Sequence, residues 1–274
     1  MAISHEWVRY GSKGASGLLC LPERVAGPLP GILVFQEIWG VDAHIEDVTH
    51  RFAGAGYAAF APDLFAPEGE RPETLTRERI SEVQAFMGSL GPTAFAPEVR
   101  DQALAKLPEA ERNRISQTSQ ALFAPLSSRA NWLDSFRLQL VEAASWLRKE
   151  NPVSTGQKVG AVGFCMGGGL VALLACDDEE LAAGAIFYGQ SPPLDRVSGI
   201  RAPLQGHYGS LDTRVNEGVP AFEAEMRRLG KPYEPFFYEG APHGFFRDGG
   251  PSYNVAASRL AFARTLDFFS RQLA

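Results

Sequence analysis

A short apolar run from Lys158 to Val162 leads into Gly163-Phe164-Cys165-Met166-Gly167-Gly168-Gly169, and the residues from Gly168 to Ala175 read as a helix. A Gly-x-nucleophile-x-Gly turn between strand and helix is a nucleophile elbow. Small residues on both sides let the backbone turn sharply, so that one side chain is held out over the sheet edge. This feature constrains the fold more than any other, because it needs a buried strand, a helix packed back on it and neighbouring strands to complete the surface. The side chain held out here is a thiol.

The rest of the chain supplies such a sheet. Gly17 to Leu21, Pro30 to Phe35, Tyr57 to Ala61, Ala183 to Tyr188, Pro203 to Tyr208 and Pro235 to Tyr238 read as further strands. The run Ile32-Leu33-Val34-Phe35 has the continuous apolar character of a strand buried on both faces. Asp42 to Gly54, Val215 to Leu229 and Ser252 to Gln272 read as helices between and after them. In the last, Ala256, Leu260, Ala263, Leu266 and Phe269 form the expected core-facing stripe. Alternating strands and helices predict an α/β fold, a mostly parallel sheet flanked by helices.

One stretch breaks the alternation. Residues 65–129 are rich in charge and punctuated by proline, with helical pieces and no convincing strand. Ile80, Val83, Met87 and Leu90 make one amphipathic stripe, and a following helix with Trp132, Phe136, Leu140 and Leu147 leads back to the sheet. We expect a single domain over residues 1–274, with 65–129 as a helical insertion packed over it, a candidate lid. The apolar content of the insertion is thin for a domain of its own.

A chain of 274 residues with 45% hydrophobic residues has ample material for such a core. Its formal net charge of −6 argues against nucleic acid as a partner, which would call for a basic stripe. No run approaches the roughly 18 apolar residues of a membrane span, and the N-terminal residues lack an apolar signal core. Three scattered cysteines, Cys20, Cys165 and Cys176, make neither a disulfide framework nor a zinc site and suit a reducing compartment. A cytoplasmic location is the default expectation. Cys20 and Cys176 read as small apolar core residues.

A thiol nucleophile needs a base to take its proton and an acid to orient that base. In α/β-hydrolases these follow the nucleophile in the order acid, then histidine. After Cys165 the chain offers Gly209-Ser210-Leu211-Asp212 just past one strand and Pro242-His243-Gly244-Phe245 just past the next. Both would lie at the carboxyl ends of strands, where open parallel sheets place their sites. His243 is the expected base and Asp212 the residue that sets its tautomer. His207 falls inside a strand and is set aside. Upstream, Gln36-Glu37-Ile38-Trp39-Gly40 ends another strand. The amides of Ile38 and Met166 are placed to form an oxyanion hole. Glu37 is an acidic group at the end of an apolar strand, costly to desolvate unless something uses it. Asp42, His44, Glu46, Asp47 and His50 crowd one helix but lack a His-Glu-x-x-His spacing, so no metal is expected.

Taken together, Gln36-Glu37-Ile38-x-Gly40, Gly163-Phe164-Cys165-Met166-Gly167-Gly168, Asp212 and Pro242-His243-Gly244-Phe245 resemble the dienelactone hydrolase (carboxymethylenebutenolidase) family. The resemblance runs from Pro30 to Leu64 and from about Trp132 to the C-terminus. It implies an α/β-hydrolase fold, no cofactor, and hydrolysis of a lactone or small ester through an acyl-thioester. It also implies that a protonated thiol rests near Glu37 until substrate displaces the acid, which then takes the thiol proton. Arg247 matches a family arginine that binds a substrate carboxylate, so the small-molecule substrate could carry one. A second such arginine would fall in the insertion, where Arg71, Arg77 and Arg79 are candidates. Trp39 stands where a smaller aromatic is more usual and would narrow the pocket floor. Two other readings stay open: a broader carboxylesterase or thioesterase with a lidded pocket, and a non-catalytic ligand-binding relative.

Overall fold

The computed structural model describes residues 2–91, 96–127 and 129–274, with side chains 124–134 outside the description. The Trp132 side chain of the expected stripe falls among the latter. In chain order the strands are β1 (Ile3–Tyr10), β2 (Ala15–Pro22), β3 (Gly31–Phe35), β4 (Ala58–Pro62), β5 (Val159–Phe164), β6 (Ala183–Phe187), β7 (Leu204–Gly209) and β8 (Tyr233–Tyr238). They form one sheet in the order β1-β2-β4-β3-β5-β6-β7-β8. The β1–β2 and β2–β4 pairs are antiparallel, and every pair from β4 through β3 to β8 is parallel.

Every residue of β3, β4, β5 and β6 is buried. That explains their unbroken apolar sequences: a parallel strand covered on both faces has no polar side to show. Each large side chain buried there contributes about 1.5–3 kcal/mol. β1 went unpredicted because Ser4-His5-Glu6 has no apolar alternation. It is an antiparallel edge strand, exposed over most of its length, and its register is set by pairing with β2.

The helices are α1 (Ala43–Gly54), α2 (Arg77–Ser89), α3 (Pro97–Leu104), α4 (Glu109–Ser127), α5 (Arg129–Lys149), α6 (Met166–Asp177), α7 (Thr213–Asn216), α8 (Val219–Arg228) and α9 (Val255–Gln272). Asp42 caps α1 by accepting the Ile45 N–H at 3.2 Å. α1 then buries Ile45, Val48 and Phe52 against the sheet. The single helix expected over 215–229 is broken into α7 and α8 at Gly218, with a proline in the first turn of α8.

In α9 the buried face is Ala257, Ser258, Ala261, Thr265, Phe268 and Phe269, so the expected stripe is corrected; Leu260 is 46% exposed. Two polar residues point inward because each has a buried partner. The Ser258 hydroxyl donates to the Phe245 carbonyl at 2.8 Å, and the Thr265 hydroxyl lies 3.0 Å from His207 Nε2.

Helices α2 to α4 lie within the expected insertion. Ile80, Val83, Phe86, Met87, Ile115 and Leu122 bury against Ile38 and Phe65, with Trp39 and Leu90 packed at the margin. These helices therefore meet the sheet at the loop that follows β3.

Candidate active site

Cys165 sits between β5 and α6 at φ 54°, ψ −112°. A non-glycine residue in that region costs about 1–3 kcal/mol and persists only where its surroundings enforce it. They do so here. The Cys165 N–H donates to the Phe187 carbonyl at 3.0 Å, and its own carbonyl accepts from Gly168 at 3.1 Å. A Cβ on Gly163 would stand 2.1 Å from the Gly167 oxygen, and one on Gly167 would stand 2.2 Å from the Phe35 oxygen. These glycines let α6 start hard against β5 and β3. The thiol is left half-buried above the sheet.

Asp212 and His243 reach the same edge from β7 and β8. Asp212 is 7% exposed; one of its oxygens accepts the Val215 N–H at 3.4 Å, and the other lies 2.5 Å from His243 Nδ1. With Nδ1–H given to the carboxylate, Nε2 remains for the thiol. Burial works against a charged imidazole, but hydrogen bonds to Asp212 and Cys165 outweigh it and push His243 up to about 10. An imidazole so placed rests protonated near neutral pH, its positive charge held between the Asp212 carboxylate and the thiol, and can give a proton to a leaving group.

The second half of the site is built on Glu37. It is 4% exposed, and both carboxylate oxygens are engaged: the Tyr188 hydroxyl donates to one at 3.2 Å, and Arg247 Nη1 to the other at 2.7 Å. Arg247 Nη2 donates to Asp42 at 2.7 Å. Burial, reinforced by the Glu37 carboxylate beside it, drives the Tyr188 hydroxyl well above its ordinary value. Tyr188 is thus kept a neutral donor to Glu37. Its ring also meets the His243 imidazole edge-on, with centroids 5.1 Å apart.

Ile38 and Met166 follow the paired strand ends Phe35 and Gly163, so their amides belong to adjoining turns. The turn through Ile38 is closed by Gly40 N–H donating to the Glu37 carbonyl at 3.2 Å. Trp39 packs edge-on to Phe123 of α4, with centroids 6.0 Å apart. None of the three candidate arginines of the insertion joins Arg247. Arg71 is bound to Asp63 at 2.6 Å and to the Val41 carbonyl. Arg77 pairs with Glu46 and lies over the Trp7 ring, while Arg79 ties α2 to Arg114, Gln117 and Thr118 of α4.

The groups set aside have structural engagements. His207 is fully buried among Gln205, Tyr238 and Thr265, and burial drives it down to about 3. Cys20 lies within β2 and Cys176 in the last turn of α6, and burial pushes both thiols up to about 12. In the acidic and histidine-rich helix, Glu46 and Asp47 pair with Arg77 and Arg51. Among the described residues no group of three metal-binding side chains gathers, and no helix is long and apolar enough to cross a membrane.

Tyr188 and Asp42 were not singled out as site residues from sequence. A tyrosine ending a buried strand is a usable signal, since a buried hydroxyl needs a partner. Asp42 signals only its helix cap; its contact with Arg247 joins residues 205 positions apart.

The family described as "Dienelactone hydrolase family" matches residues 15–273. A protein of Saccharolobus solfataricus, provisionally named carboxymethylenebutenolidase, is 29% identical over 266 residues, covering 96% of each chain. One of Escherichia coli O157:H7 with the same provisional name is 29% identical over 263 residues, 91% of this chain and 80% of its own. A crystal structure from Klebsiella pneumoniae, titled provisionally as a dienelactone hydrolase, superposes with a TM-score of 0.68 at 24% identity. It covers 99% of this chain and 100% of its own, which establishes the α/β-hydrolase fold.

Proposed function

The chain belongs to the dienelactone hydrolase family, and we propose that it hydrolyses a lactone or small ester with Cys165 as nucleophile. The observation that carries this reading is the line from Asp212 through His243 to the strained Cys165, with the carboxylate 2.5 Å from the imidazole. Loss of the thiol proton gives a thiolate that attacks the carbonyl carbon. An S–C bond forms, and the carbonyl π pair moves to oxygen, where the amides of Ile38 and Met166 would receive it. As the oxyanion collapses, the C–O bond breaks and the leaving alkoxide takes a proton from His243. In a lactone this alkoxide stays tethered to the acyl group. Water then gives a proton to His243 and attacks the thioester, the C–S bond breaks, and the carboxylic acid product departs.

In this reading Glu37 takes the thiol proton, His243 rests as the imidazolium that later protonates the leaving alkoxide, and the thiolate released at the end regains its proton from Glu37. Its carboxylate accepts from Arg247 and Tyr188, and a modest rotation away from them would free it as a base. Keeping the thiol protonated until then protects it from oxidation. Trp39 and the helical insertion would wall the pocket, since Ile38 and Trp39 pack into the insertion's apolar cluster. That contact also favours a second reading, a broader esterase or thioesterase with residues 65–129 as a lid.

The test is initial-rate hydrolysis of dienelactone, as its free carboxylate and as its methyl ester, beside 4-nitrophenyl esters of increasing chain length, with Cys165→Ala in parallel and mass spectrometry of the quenched enzyme. Lactone turnover that vanishes in the variant, with an acyl adduct on Cys165, is the expected result. Ester turnover that rises with chain length and excludes the lactone would move the assignment to the lidded esterase. No cysteine-dependent turnover of either would leave a ligand-binding relative as the better reading.

A further inference from the structure

Arg247 lies beside Glu37 and Tyr188 at the catalytic edge, yet both ends of its guanidinium are already taken. Nη1 binds Glu37 and Nη2 binds Asp42, each at 2.7 Å. Two carboxylates on one guanidinium leave this group one unit negative. A substrate carboxylate arriving at Arg247 must displace one of them and adds a third negative charge to a mostly buried cluster, which is strongly disfavoured.

Asp42 is poorly able to move aside. One oxygen accepts the Ile45 N–H at 3.2 Å as the α1 cap, and the other also accepts from Gln84 of α2 at 3.1 Å. Glu37, at the end of β3, is the partner free of such a cap. The arginines of the insertion that might have restored positive charge are committed elsewhere: Arg71 to Asp63, Arg77 to Glu46 and Arg79 to α4.

We propose that Asp42 is a specificity-determining residue: by occupying the second arm of Arg247 it turns the pocket against carboxylate-bearing substrates and selects neutral lactones or esters. The inference rests on the hydrolase reading above for the word substrate, but its electrostatic content stands apart from turnover. It also assigns Arg247 to positioning Glu37 rather than to gripping an anionic ligand.

Asp42→Asn is the direct probe, because asparagine caps a helix as well as aspartate and keeps its volume. Asp42→Ser, another good cap, serves if the first variant folds poorly. Asp248→Asn is the control: it removes a nearby negative charge that pairs with Arg51 rather than with Arg247. Hydrolysis is compared for dienelactone as its free carboxylate and as its methyl ester. The wild type should favour the methyl ester. Asp42→Asn should raise the carboxylate-to-ester ratio of kcat/KM at least about tenfold, chiefly through a lower KM for the carboxylate, with Asp248→Asn within about twofold of wild type.

A second readout needs no turnover: the rates at which iodoacetate and iodoacetamide alkylate Cys165, located by peptide mass spectrometry. Asp42→Asn should raise the anion-to-neutral rate ratio several-fold and Asp248→Asn should not. Unchanged ratios in both assays, or equal shifts in Asp248→Asn, would overturn the proposal. A shifted alkylation ratio with no hydrolysis of either lactone or of the 4-nitrophenyl esters by wild type would instead sink the hydrolase reading and leave the charge selection by Asp42 in place.

Discussion

Two histidines on neighbouring strand positions meet opposite fates. His207, inside β7, is fully buried and surrounded by neutral partners, the Gln205 amide, the Tyr238 phenol and the Thr265 hydroxyl. His243, just past β8, keeps a third of its side chain exposed and faces a carboxylate and a thiol. Burial, helped by the nearby positive charge of Arg264, drives the first down to about 3, while charged partners carry the second up to about 10. The residue type is the same, so the sign of the shift comes from the surroundings: burial beside a cation excludes the proton, and an anionic partner retains it. One histidine is thereby a structural strut, and the other is able to shuttle protons.

The sharpest way to break that contrast is to remove each imidazole in turn. His243→Ala should lower kcat/KM by about 10²–10⁴-fold, the usual worth of a general base, while thermal unfolding shifts little. A loss below tenfold, measured on any ester the wild type turns over, would take His243 out of the chemistry. Asp212→Asn comes next. Activity should fall by on the order of 10²-fold or more because the imidazole loses the partner that sets its tautomer. The His243 titration followed by NMR should move down from about 10.

His207→Leu should do the reverse. It strands the Gln205, Tyr238 and Thr265 side chains and should cost about 2–4 kcal/mol in urea unfolding, with activity per folded molecule retained. A stable but inactive His207→Leu protein would erase the distinction.

The pH dependence of stability sharpens the same comparison. His243 has a folded pKa above its unfolded value of about 6.5. Its contribution is full below about 6.5 and drains away as pH rises toward about 10. His207 has a folded value below the unfolded one, so its contribution is present above about 6.5 and is lost as pH falls toward about 3. His243→Gln should therefore flatten the alkaline limb of a stability–pH curve, and His207→Gln the acid limb. Exchanged limbs would reverse both assignments.

The smallest effect is expected at Cys20. Cys20→Ala should cost about 1–2 kcal/mol for a small buried side chain and leave alkylation-sensitive activity with Cys165. Loss of that sensitivity in Cys20→Ala would mean that the reactive thiol had been misplaced.

How much of this was legible differs between the two halves of the site. Cys165, Asp212 and His243 each sit next to a local pattern, a glycine-flanked turn or a loop closing an apolar strand, so reading along the chain finds them. Glu37 stood out for the same reason, as a charge at the end of a buried strand. Its partner Arg247 lies 210 positions away, and Asp42 lies 205 positions from the same guanidinium; nothing local to either announces the pairing. The α9 face shows the same limit. Counting apolar residues picked Leu260, whereas the helix turns Ser258 and Thr265 inward to satisfy buried acceptors.

By itself the sequence determined the alternation of strands and helices, the elbow, the order of the candidate nucleophile, acid and base, and the family. These rest on periodicity and turn chemistry, which act over a few residues. Only the tertiary structure decided which groups face one another: that Asp42 clamps Arg247, that Tyr188 donates to Glu37, and that Arg71, Arg77 and Arg79 are held away. Charge pairing acts through space across a sheet whose adjacent strand ends are far apart in the chain. The function of an arginine or a histidine there follows from its neighbours, and those are set by how the strands are ordered.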